Sequence, residues 1–326
     1  MSDPTMFRPL LSILVLFYIF LISACSDSRD NNTRDDSRNT NEALLSSQSE
    51  QTEPSSSIEL DPTRSLFINT VDEHFSELLN ESKYLHENLM AFTKKPTQES
   101  LQKTIQHLEK THALFISGYF LDTCCLIYTP PQVQDENVTN SIKIKTRLDQ
   151  QPLLPGYLDA VEGYPFSGLI YADIPITVEN MAQEFQLGDT AYVSLGFHAL
   201  ELILKGSNLK RKVSDFSTLT STSDTSSAPP ELRRTLYAML LASEIKKDIS
   251  ALKQAWEANL KKQLQQSTSA QAEAFFDALN VKIEKEIQDQ KNQDDHFNLE
   301  SISLKQTLLD KLASLKALNQ ATKLSR

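Results

Sequence analysis

The chain has 326 residues, only 7 of them glycine, and its 32 basic against 43 acidic side chains leave a formal net charge of −11. Glycine this far below the usual ~7% argues against Gly-rich phosphate loops, dinucleotide-binding turns and tight-turned β-barrels. An acidic surface repels phosphate backbones, which argues against nucleic acid as a partner and leaves cations admissible.

Residues Leu10 to Ile22 read LLSILVLFYIFLI. The run is shorter than the ~20 residues that span a bilayer and matches the core of a secretory signal. It ends in Ile22-Ser23-Ala24-Cys25, small residues ahead of a cysteine as in a bacterial lipoprotein cleavage box. This predicts removal of residues 1–24 and acylation of Cys25, which would bind the protein to a lipid membrane; several acyl chains anchor stably where one does not. Ser26 in place of Asp after the cysteine points, in a Gram-negative cell, to the outer membrane facing the periplasm. Residues 25–63 are rich in Ser, Asn, Asp, Thr and Gln. They lack the apolar surface to offset ordering entropy and are expected to form a disordered stalk.

From Arg64 to Lys94 the apolar residues Phe67, Val71, Phe75, Leu78, Leu85, Leu89 and Phe92 recur at helical spacing until Pro96. A second helix is expected from Thr97, an N-cap, with the stripe Leu101, Ile105, Leu108, His112, Phe115 and Tyr119, antiparallel to the first. Residues 129–177 hold many prolines and are expected to be a long irregular segment, of the kind that carries function. A helix is predicted from about Asp189 to Lys205 with Gly206 as C-cap, then a Ser/Thr-rich linker over 207–230. Further helices are expected near 231–266, 270–292 and 303–322, with Trp256 filling a core. The fold class is all-α, built from helical bundles. Cys124 and Cys125 are expected to be buried free thiols, a vicinal disulfide being strained.

His198 and Glu201 lie three apart, so they project from one helix face, and their neighbours Leu200, Leu202, Ile203 and Leu204 are apolar. A carboxylate among apolar neighbours is costly unless paired or metal-bound. A neutral imidazole with a carboxylate makes half of a transition-metal site; a hydrogen-bonded core histidine with no metal is the alternative. Gly196, two residues earlier, suggests close approach by another backbone. His74 and Glu77 repeat the spacing, but Phe75 lies on the core stripe, so that pair is expected to face solvent. Glu109 and His112 form a Glu-x-x-His with no second copy, which a di-iron bundle would need. Glu109 reads as a surface charge, whereas His112 interrupts a core stripe.

Residues Gly163 to Asp173 (GYPFSGLIYAD) and Ser194 to Gly206 together resemble the imelysin-like family, bacterial envelope proteins, many in iron-regulated operons and some described as peptidases. Its hallmark Gly-x-His-x-x-Glu is matched by Gly196, His198 and Glu201, and the segment Arg233 to Trp256 is similar to the family helix that follows. The resemblance spans roughly residues 64–320. It implies a two-domain arrangement, 64–206 and 231–326 across the 207–230 linker, with a reduced C-terminal part. It also implies a metal site with His198 and Glu201 at its core. Asp173 is the first further ligand expected, because it ends the matched segment; His112 is the second, because it breaks a core stripe. Iron is the metal expected, with zinc as the alternative, and envelope iron-uptake proteins are the partner class. Three functions compete: a metal-binding uptake or storage accessory, an imelysin-type metallopeptidase, and a structural lipoprotein with a decayed site. The first is favoured over the second because Leu202 stands where a His-Glu-x-x-His zinc motif would need its second histidine.

Overall fold

Nine α-helices and no β-strand make up the described residues, 62–128, 136–219 and 225–291 with a few helical positions between 306 and 314, in a computed structural model. The expected signal segment, Cys25 and the expected stalk up to residue 61 lie outside the described residues, as does most of the helix expected over 303–322; residues 62 and 63, placed in the stalk by composition, instead open the first helix. All described residues belong to one compact unit, Ser56–Arg326. The all-α expectation is met.

Helices α1 (Pro62–Lys94) and α2 (Gln98–Tyr128) form the expected antiparallel pair. Cross-contacts fix the direction: Glu81 of α1 receives Lys110 of α2, while His74, earlier on α1, abuts Gly118, later on α2. Thr97 caps α2 as predicted, its Oγ1 accepting from Ser100 N at 3.1 Å. The side chains of Cys124 and Cys125 lie outside the described residues. Helix α7 (Pro230–Ala258) packs along α1 and is followed, after a break at Asn259, by α8 (Leu260–Gln266) and α9 (Ser269–Lys291). Fully buried Phe67 meets Trp256, Phe275 and Phe276 edge-on, with ring centroids 5.6–6.1 Å apart. Trp256 is core, as expected, and its Nε1 donates to Asp72 Oδ1 at 2.8 Å. That bond answers the one polar atom an indole brings into a core.

Three stretches differ from expectation. The segment expected to be irregular contains helix α3 (Glu136–Leu148) and the single turn α4 (Pro155–Leu158). The α3 face that meets the protein carries Ser141, Ile144, Lys145 and Leu148, too few apolar residues to give a helical period. The helix expected from Asp189 instead begins at Gly196 (α6, Gly196–Lys205). Leu195 is extended and Gly196 has φ +88°, so the chain cannot run helically through this point. A short helix not foreseen, α5 (Val178–Glu184), is capped by Thr177 Oγ1 accepting from Asn180 N at 3.2 Å.

The chain between α6 and α7 enters the core: Phe216 is buried against Phe92, and Leu219 N donates to Thr93 O at 2.9 Å. Arg233 and Arg234 at the start of α7 clamp the 158–174 loop. Arg233, 2% exposed, donates to the carbonyls of Leu169, Ile170 and Ile174 at 2.7–3.0 Å. Arg234 binds Asp159 and Tyr171. These bonds satisfy carbonyls that an irregular buried segment would otherwise leave unpaired.

His74 does not face solvent as expected. Its ring fills a notch that Gly118 leaves in α2, where an added Cβ would stand 1.8 Å from His74 Nε2. Burial pushes its pKa down to about 4. The unfolded chain therefore binds a proton that the folded chain refuses between about pH 6.5 and 4, so stability falls as pH falls through that window. The loss approaches about 3 kcal/mol by pH 4. His86 shifts in the same direction, by burial. Urea unfolding of wild type and His74→Gln at pH 7.0 and 4.5 should show a smaller acid loss in the variant. Equal losses would reject the assignment.

Candidate metal centre

The site is built where α2, the C-terminal end of α3 and the N-terminal end of α6 meet. Residue Gly196 sets the distance. A Cβ there would lie 2.2 Å from Arg147 O and 2.4 Å from Leu148 O, so only glycine lets α6 start against the last carbonyls of α3. This is the close backbone approach expected of Gly196. Asp149, the residue after α3, thereby comes to His198 in the first turn of α6. The two chain segments stay in register further on: Leu154 N donates to Ala191 O at 2.9 Å, and the Tyr157 and Tyr192 rings stack at 4.1 Å. From behind, buried Tyr237 of α7 donates to Ser194 O at 2.8 Å.

Three side chains converge. His112 Nε2 is 2.8 Å and His198 Nε2 2.9 Å from the same atom, Asp149 Oδ1. The two rings stand edge to face with centroids 5.0 Å apart, and the His112 ring stacks on Phe197 at 4.6 Å, which holds its plane. All three residues are half-buried, and one donor atom from each lies within 4.8 Å of the other two. Burial alone would raise the Asp149 pKa, but the hydrogen bonds and charge of His112 and His198 outweigh it. The carboxyl is held well below the usual range and stays anionic. The Gln151 amide nitrogen lies 2.8 Å from His198 Nε2 and 3.5 Å from Nδ1, on the side of the ring between the two nitrogens. Amide N and O exchange by a half-turn about χ3, which would present an oxygen donor at that place.

Of the four ligands expected from sequence, His112 and His198 come together. Glu201 is close, its Oε2 4.0 Å from His198 Nδ1, but it stands outside the three-residue group and pairs with Lys205 at 2.8 Å. Asp173 is exposed on the loop after Tyr171, its charge acts on Arg233, and it stands outside the group that joins His112, Asp149 and His198. Asp149 was not foreseen. Glu109, expected to be a surface charge, is half-exposed and binds Lys205 Nζ at 2.7 Å.

Two imidazole nitrogens and one carboxylate oxygen, ordered around a common point, form a donor set for a borderline transition metal. Residues 71–323 match the imelysin family model, of the peptidase type. The chain belongs to the imelysin family. Membership marks it as an iron-related or peptidase-like envelope protein. The imelysin hallmark residues Gly196, His198 and Glu201 all sit at the junction just described. No curated protein matches the chain.

Proposed function

We propose that the protein binds one transition-metal ion, iron, through His112, Asp149 and His198, and serves as an uptake or storage accessory in the cell envelope. The observation that carries this is the convergence of both Nε2 atoms on one carboxylate oxygen. Ligands at about 2.0–2.2 Å from an ion are at most ~4.4 Å apart. The observed span of 4.8 Å or less is therefore within small side-chain adjustments of a coordination sphere. Two histidines with one carboxylate, leaving positions open, is a ligand set suited to non-haem iron(II). His198 and His112 would bind through Nε2, Asp149 would supply charge, and Phe197 would shield one side. The acylated Cys25 would hold this body at the outer membrane, facing the periplasm, where envelope iron-uptake proteins are its partner class. That placement rests on the Leu10–Ile22 run and its cysteine.

Zinc is the second reading, since two histidines and a carboxylate with an open position also suit a hydrolytic zinc ion. It asks for a general base, and Glu201, the carboxylate beside His198, is engaged with Lys205. Metal analysis and calorimetric titration of iron(II) and zinc should give one ion per wild-type chain. His198→Ala and Asp149→Ala should lose saturable binding. Equal binding by wild type and His198→Ala rejects the site. Chelator-sensitive peptide cleavage lost in the same variants would establish the peptidase instead.

A further inference from the structure

We infer that Glu201, the acidic member of the hallmark, is a positioning residue for His198 and not a ligand, and that Asp149 takes the carboxylate's place on the ion. The inference rests on the metal-centre reading above and deepens it. The two nitrogens of an imidazole lie on different edges of the ring. When one ligates, the other carries a proton, and a carboxylate or carbonyl that receives it fixes the ring's tautomer and orientation. His198 turns Nε2 to Asp149 Oδ1, at 2.9 Å, and Nδ1 to Glu201 Oε2, at 4.0 Å. The i, i+3 spacing on α6 keeps Glu201 on that side of the ring.

Two further observations hold Glu201 back from the ion. Its other oxygen, Oε1, accepts from Lys205 Nζ at 2.8 Å, and the same ammonium binds Glu109 Oε1 of α2 at 2.7 Å. The ammonium thus ties one carboxylate of α2 to one of α6, a turn away from the His112–His198 pair. To ligate at the Nε2 edge, Glu201 would have to leave Lys205 and pass round the ring. To receive Nδ1–H it needs to close by only about 1 Å, with Lys205 still bound. Loss of a carboxylate behind a ligating histidine typically weakens metal affinity 10–100-fold without changing the ligand set.

The test uses the full-length protein, freed of metal with chelator and titrated with Co²⁺, whose visible absorption reports the number and type of ligands. Glu201→Ala and Glu201→Gln should bind Co²⁺ with the wild-type spectrum and 10–100-fold lower affinity, Gln weakened less because its carbonyl can still accept from Nδ1–H. Asp149→Ala should change the spectrum or abolish it. Zinc-loaded protein should show His198 protonated on Nδ1 in ¹⁵N spectra, with that proton's shift moved in Glu201→Ala. Glu201 is 39% exposed along its side chain and Lys205 keeps Glu109, so the variants should fold as wild type. A Glu201→Ala spectrum altered as in Asp149→Ala would make Glu201 a ligand and overturn the inference while leaving the site intact. Unchanged affinity in Glu201→Ala would remove the positioning role. Absence of Co²⁺ binding by wild type would overturn the site itself, and the inference with it.

Discussion

Replacing Gly196 with alanine should destabilise the protein by about 3–5 kcal/mol and abolish metal binding in whatever fraction stays folded. Two costs add. At φ +88° an L side chain is strained, and the new Cβ would meet the carbonyl oxygens of Arg147 and Leu148 at 2.2 and 2.4 Å. These are backbone atoms at a helix end and cannot swing aside as a side-chain tip would. The only relief is to move α6 away from α3, which draws His198 off Asp149. Gly163→Ala is the matched control: φ is +83° there, but nothing lies within 4 Å of the added Cβ. It should cost about 1 kcal/mol and leave binding unchanged. Urea midpoints with unchanged m-values, read beside metal titration, separate the two variants. If Gly196→Ala cost no more than Gly163→Ala, the close approach would not be what builds the site.

How much of this was legible in the sequence follows from the kind of signal each residue carries. The long stripes of α1, α2 and α7 were readable because many apolar side chains repeat at one period. His112 was readable because it breaks such a stripe, and Gly196 because glycine is rare in this chain. Asp149 was not. It is one of 43 acidic residues, it follows a helix whose buried face carries a lysine and a serine, and its partner histidines lie 37 and 49 residues away. The clue was indirect: a glycine that demands a close backbone neighbour implies that residues beside that neighbour reach the glycine's own helix. Asp173 was chosen by adjacency in a motif, and the loop turns it outward while Arg233 grips the carbonyls around it. The apolar letters flanking Glu201 likewise belong to other faces of α6; its own face carries Lys205. His74 was misplaced for the opposite reason. Its position beside the stripe reads as exposed, and only the gap left by Gly118 on another helix gives it cover.

The other large effect is expected at Asp159, a carboxylate with no exposed surface in the loop after α4. Arg211 Nη2 donates to its Oδ2 at 2.5 Å, and Arg234 donates to both oxygens at 2.8 and 3.0 Å. Arg211 follows the end of α6 and donates to Ile203 O at 3.2 Å, while Arg234 opens α7, so one anion joins α6, α7 and the loop. Removing one partner of a buried ion pair leaves the other uncompensated, which typically costs about 3–5 kcal/mol. Asp159→Ala should lose that much in urea unfolding. The neighbouring hydroxyl of Tyr171, 2.8 Å from Arg234 Nη2, and its ring beneath the guanidinium soften the loss without replacing the charge. Asp159→Ala with Arg234→Met removes the most buried unpaired cation and should recover part of the stability, a coupling that a double-mutant cycle measures directly. Because Asp159 secures the C-terminal end of α6 and the metal centre lies at its N-terminal end, the folded fraction of Asp159→Ala should bind metal as wild type does. A loss below 1 kcal/mol, or a double variant no more stable than Asp159→Ala, would show that apolar packing rather than this ion cluster holds α6 to α7.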